Sequence, residues 1–186
     1  SPGINWLPAE FFQRFWLLIC ERYMLFINHA FLYEFPITLN TSVTTIIYKN
    51  KGDMHELKNY RPISLITTDM KIISKTLANR LKPMLSQILH KSQTAVDGRQ
   101  IDYTIHLIRD LIEMANKEDL DGALLFLDQE KAFDRVNHKF LNKTMKAFGI
   151  GDNFIKWIQQ IYKSAITSVK VNGFLSEPIL LSREGG

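Results

Sequence analysis

The feature that most constrains this chain is the run ALLFL at 123–127, which ends abruptly in Asp128 and is followed within seven residues by Glu130, Asp134, two basic residues and Phe133. A continuous apolar run of that length bounded by turn signals is the pattern of a buried strand. It predicts a carboxylate aimed off the end of the most buried strand of a sheet. Such a group is costly to desolvate unless it is paired, hydrogen-bonded or bound to a metal ion. Spacing alone leaves two readings: Asp128 caps the turn after the strand, or it presents a ligand to a divalent cation at the sheet's end.

The rest of the chain supplies helices and a second set of strands. Phe12, Trp16, Ile19, Tyr23 and Phe26 recur at helical spacing and predict a long amphipathic helix over about 8–31. SVTTIIYK at 42–49 and YRPISLI at 60–66 read as two strands around the turn residues NKGD, with Pro62 favouring a sheet edge. Thr68 or Asp69 is expected to cap a helix through Ile73, Leu77, Leu81, Leu85 and Ile88, and Ile101, Ile105, Ile108, Ile112 and Ala115 mark another. Leu141, Met145 and Phe148 mark a helix closed by Gly149, and Asp152 is expected to cap one more through Phe154, Ile158 and Ile161. Asn172-Gly173 between two β-prone runs is a hairpin signal. The expected class is α+β, helix-rich with a small antiparallel sheet, and no linker or repeat marks a domain boundary within 1–186.

Composition excludes several alternatives. With 46% hydrophobic residues in 186, the chain can bury a core and is not a disordered tail. A single cysteine, Cys20, cannot form an internal disulfide, so an intracellular, reducing setting in cytoplasm or nucleus is expected. The most apolar segment, FWLLICERYMLFINHAF, is interrupted by Glu21 and Arg22, so it reads as a buried helix and no membrane is expected. The net charge of +4 suits a polyanionic partner and an ordinary soluble protein alike. No His/Cys cluster has zinc spacing, and the acidic residues after Asp128 do not follow a calcium-binding loop.

Four ordered blocks carry a resemblance. LDQEKAFDRVNH, NYRPISLI, KIISKTLANRL and SQTAVDGRQ, with SPG and LPAEFF near the start and VNGFLSEP near the end, resemble the reverse transcriptase domain of LINE-type, non-LTR retrotransposons. The resemblance implies polymerase fingers plus a partial palm. It also implies attack of a DNA primer 3′-hydroxyl on an incoming deoxynucleotide opposite an RNA template. Asp128 stands where the family binds catalytic magnesium ions, and the backbone carbonyl of Gln129 stands where a further ligand is offered. Two such ions, about 3.5–4 Å apart, stabilise the attacking and leaving oxygens of an in-line displacement. Phe133 falls at the position of a steric gate against a ribose 2′-hydroxyl, and without the resemblance it reads as a core aromatic. Arg61 falls where an arginine meets the triphosphate, a suitable role for a guanidinium fork. Lys49 and Lys51 flank the hairpin turn and are candidates to assist it, with a solvated surface as the alternative; Gln93, Gly98 and Arg99 resemble the template-side segment.

Two departures qualify these expectations. The family's downstream Asp-Asp pair has no counterpart, because the acidic residues after Asp134 are Asp152, Glu177 and Glu184. One carboxylate is a poor cage for two magnesium ions, so a fragment ending at SREGG, without the rest of the palm and thumb, is expected to be inactive alone. The alternatives are a non-catalytic nucleic-acid-binding module and a transposon remnant without function. Near the start, SPGINW has Asn5 and Trp6 where the family has Asp and Gly, and a turn needing a left-handed backbone at the second position would resist Trp.

Overall fold

The computed structural model describes residues 3–94, 98–163 and 165–181. Ser1 and Pro2 of the first block, 95–97 of SQTAVDGRQ, and the closing SREGG lie outside them. The chain divides into two compact units, Ser1–Thr76 with Asn137–Gly186, and Leu77–Val136.

The first unit is built on a five-stranded sheet. Strands β1 (Thr41–Tyr48) and β2 (Tyr60–Ile66) form an antiparallel hairpin, with Val43 opposite Leu65 and Ile47 opposite Arg61. β3 (Ile166–Val171) lies on the other side of β1, and β4 (Phe174–Leu175) and β5 (Ile179–Leu180) pair antiparallel with β3. β2 is an edge, as Pro62 predicts, since an edge strand can spare a donor. Asn172 and Gly173 adopt φ 49° and 89° between Val171 and Phe174, the left-handed pair that a two-residue hairpin requires.

The α+β class stands, but the sheet is mixed rather than antiparallel: β1 and β3 run parallel, with Thr44 beside Val169. A hairpin cannot join strands so far apart in sequence. The chain returns through helices and re-enters in the same direction, which is how parallel pairs are connected.

Helices close the unit. α1 (Ala9–Leu32) buries Phe12, Ile27 and Ala30, and α2 (Thr68–Ile88) begins with buried Met70 and Ile73. α4 (His138–Ala147) starts at Asn137, whose side chain accepts the Phe140 N–H at 3.1 Å, and it ends before Gly149 at φ 74°. α5 (Asp152–Lys163) buries Ile155 and stacks Trp157 on Phe31 of α1, with ring centroids 4.5 Å apart. The cap of α2 is Thr67 rather than Thr68 or Asp69: its hydroxyl is fully buried and accepts the Met70 N–H at 3.2 Å.

α1 is less buried than its apolar sequence predicts. Leu17, Leu18 and Leu25 are exposed while Phe12, Ile27 and Ala30 face the core, because one side of a helix is all that a single sheet-and-helix layer covers. Among the described residues it is the one helix long and apolar enough to cross a membrane, by length and composition alone.

The second unit contains the C-terminal part of α2, then α3 (Ile101–Lys117), which ends at Asp119 with φ 51°. No residue of α3 is buried. Beyond it lies the principal correction to the expected fold. Residues 120–129 are in neither helix nor strand, and Leu125, Phe126 and Leu127 are 80%, 77% and 85% exposed. A run apolar on both faces becomes a strand only when neighbours on each side satisfy its backbone and cover its side chains, and the sheet brings none of its five strands to this segment.

Candidate functional site

The finger hairpin presents its cations on a braced tip. Past β1 the ladder continues through Lys49, whose N–H donates to the Asn59 carbonyl at 2.8 Å and whose ammonium donates to the Lys58 carbonyl at 2.6 Å. Gly52 turns the chain at φ 84°, and a Cβ there would come within 2.6 Å of the Asn59 amide. Asn59 donates to the Asp53 carbonyl at 2.8 Å, while the Tyr48 and Tyr60 hydroxyls donate to the carbonyls of Gly52 and Met54. Lys51 is exposed at the turn. Arg61 sits in β2 opposite Ile47, exposed, with its guanidinium unpaired among the described residues.

In the second unit Asp128 is exposed, so the desolvation cost that singled it out is not incurred. Gln129 beside it is exposed too. Glu130 to Arg135 form a turn: Lys131 adopts φ 50°, the Arg135 N–H donates to the Lys131 carbonyl at 3.0 Å, and the Arg135 guanidinium pairs with Glu130 at 2.5 Å. That turn holds the Phe133 ring 97% exposed, so it is not a core aromatic.

Magnesium asks for a near-octahedral set of oxygens. Among the described residues no three His, Cys, Asp or Glu side chains gather where they could hold a cation. Asp128 with the Gln129 carbonyl therefore does not amount by itself to a magnesium site.

The segment around Gln93, Gly98 and Arg99 has a structural duty that the sequence did not disclose. The Arg99 guanidinium donates to four carbonyls: His90 at 2.6 Å, Gln93 at 2.7 Å, Leu89 at 3.1 Å and Ser86 at 3.4 Å. These include carbonyls that the end of α2 leaves without intrahelical partners. Gly98 adopts φ 80° in open space, so conformation rather than crowding calls for glycine.

A second unforeseen group lies beside the N-terminal turn. Asn5 donates its amide to the buried Asp69 carboxylate at 2.8 Å. Burial pushes the Asp69 carboxyl above its ordinary value, while its own backbone N–H and the Asn5 amide pull the other way. The Tyr23 hydroxyl, buried without a partner, is driven above the usual phenol range by desolvation first and by Asp69 second. The hint in sequence was the Asn at the family's Asp position, facing an Asp rather than solvent.

Comparison with known proteins follows the same blocks. The family model described as reverse transcriptase (RNA-dependent DNA polymerase) matches residues 47–180. The chain is 40% identical over 185 residues to the transposon TX1 uncharacterized 149 kDa protein of Xenopus laevis, covering 98% of this chain and 14% of that protein. It is 24% identical over 134 residues to the retrovirus-related Pol polyprotein from the type-1 retrotransposable element R2 of Popillia japonica, 70% of this chain and 18% of that one. It is 28% identical over 119 residues to the probable RNA-directed DNA polymerase from transposon BS of Drosophila melanogaster, 61% of this chain and 13% of that protein. The chain thus spans less than a fifth of the length of each of these relatives.

Proposed function

The chain belongs to the reverse transcriptase (RNA-dependent DNA polymerase) family, in the form carried by non-LTR retrotransposons, and from that premise we propose that it serves as the fingers and first part of the palm of an enzyme that copies RNA into DNA. The observation that carries this reading is the family match itself, which runs from residue 47 in the finger hairpin through Asp128 to residue 180 in the last strand. Its partners are an RNA template, a DNA primer and deoxynucleoside triphosphates, in an intracellular setting.

Phosphoryl transfer asks a protein mainly for positioning and charge neutralisation. Arg61, unpaired and exposed on a rigid strand, offers a fork to the triphosphate, with Lys49 and Lys51 adding positive charge at the tip. The Phe133 ring, held out of the core, is available to lie under the sugar, where a flat ring leaves no room for a ribose 2′-hydroxyl. Gln93, Gly98 and Arg99 shape the template-side loop, Arg99 by fastening it to the end of α2. The family generally uses divalent metals. Asp128 contributes one carboxylate toward Mg²⁺, and Gln129 one carbonyl, to a site whose other ligands these residues do not supply.

A second reading follows from the exposed, unclustered Asp128: by itself the chain binds nucleic acid without extending it. Primer extension on an RNA template separates the two. The longer protein containing this segment is expected to extend the primer and to lose that activity on Asp128→Ala, while the chain alone is inactive. Template-dependent extension that survives Asp128→Ala in the longer protein would overturn the assignment of Asp128.

A further inference from the structure

The strand register places a second cation on the same sheet face as Arg61. Directly opposed residues share a face. Arg61 pairs with Ile47, Ile63 with Thr45, Thr45 with Lys170, and Lys170 with Leu175, so all six side chains lie on one side of four adjoining strands. At this end of the sheet nothing covers them: Ile47, Ile63 and Leu175 are exposed, as are both cations. Neither Arg61 nor Lys170 has an ion pair or hydrogen-bond partner among the described residues. The adjoining hairpin tip adds Lys51.

We propose that Lys170 and Arg61 form a two-cation platform for the phosphate backbone of a single-stranded RNA lying across this face of the sheet. The proposal rests on the polymerase reading and adds a residue and a ligand to it. Two strand spacings of about 4.8 Å and two residue rises of about 3.3 Å separate the two Cα atoms by roughly 12 Å. Side chains standing perpendicular to a sheet keep about that separation at their charged ends. The span is too wide for the phosphates of one nucleotide and suits a strand that brings successive phosphodiesters past both. The apolar side chains between the cations offer no hydrogen bonds to base edges, so binding is indifferent to sequence, as backbone-tracking grooves are.

Each phosphate contact on a single strand contributes about 0.7 to the slope of log K against log salt. The test is fluorescence anisotropy of a labelled single-stranded RNA oligonucleotide bound to the whole chain across a sodium chloride series. Lys170→Gln and Arg61→Gln are each expected to lower the slope by about 0.7. Lys170→Arg should keep it, and Lys143→Gln, on the exposed side of α4, should leave it unchanged. A wild-type slope in Lys170→Gln, or an equal fall in Lys143→Gln, overturns the platform. So does a loss confined to deoxynucleoside triphosphate binding, which would give Lys170 to the nucleotide. An unchanged slope with primer extension intact in the longer protein removes the platform and leaves the polymerase reading; lost extension with the slope effect intact does the reverse.

Discussion

Replacing Trp6 with glycine should make this protein more stable, although it deletes the largest side chain in the N-terminal turn. Trp6 closes that turn by donating its N–H to the Gly3 carbonyl at 3.0 Å, and it does so at φ 56°. A residue with a Cβ pays about 1–2 kcal/mol for left-handed backbone. Glycine removes that strain and adds back about 0.4–1 kcal/mol of unfolded-chain entropy. Packing hardly enters, because Trp6 is 82% exposed. The balance is a gain of about 0.5–1 kcal/mol, or about 1–4 °C in Tm for a chain of this length. Far-UV circular dichroism melting reads it without depending on indole fluorescence, and Trp6→Ala is the control, since alanine keeps the Cβ and so the strain. A lower Tm for Trp6→Gly, or an equal rise for Trp6→Ala, would refute the backbone argument.

Three further outcomes follow from other contacts. Gly3 is buried against the α2 entry, where a Cβ would stand 2.5 Å from the Thr67 Cα and 2.7 Å from the Ile66 carbonyl oxygen. Gly3→Ala must therefore displace backbone, and urea unfolding should show a loss of about 1–3 kcal/mol. Arg99→Met strips four carbonyls of their donor and should cost about 1–3 kcal/mol, with faster hydrogen exchange in the loop after α2; unchanged exchange would mean those hydrogen bonds do not order it. Because burial raises the Asp69 carboxyl, the folded chain holds that proton to higher pH than the unfolded chain does. Asp69's contribution to stability is therefore best below the unfolded value of about 3.9 and falls as pH rises through the folded one. Asp69→Asn should remove that component, so its Tm measured from pH 3 to 7 should gain on the wild type as pH rises; a constant difference would exclude it.

What was legible in the sequence was what local chemistry decides. Asn172-Gly173 needs nothing beyond its own backbone to specify a two-residue hairpin, and Gly149 likewise closes α4. The 42–49 and 60–66 runs find each other across a short loop, so their strand propensity is realised in a hairpin. The positive φ at Trp6 was also foreseeable, because only a left-handed position gives reason to expect glycine there. Arg99 and the Asn5–Asp69 hydrogen bond were not foreseeable in the same way. Arg99 reaches carbonyls six to thirteen residues back, and Asn5 reaches across sixty-four, so neither pairing leaves a periodic trace.

The segment 123–127 marks the limit of pattern reading most clearly. Its composition is more strand-like than that of β3, which carries Thr167, Ser168 and Lys170, yet β3 is the one that forms. The difference lies in partners. β3 has β1 on one side and β4 and β5 on the other, and both short strands arrive through the hairpin that β3 itself begins. Residues 123–127 follow a helix and precede a turn, with no strand in their own unit to pair with. An apolar run states how much burial a segment seeks, while backbone partners decide whether it becomes a strand. Asp128 is subject to the same condition: its meaning as a ligand depends on groups that must be brought to it, whereas Arg61 and Lys170 stand on paired strands and need only a phosphate.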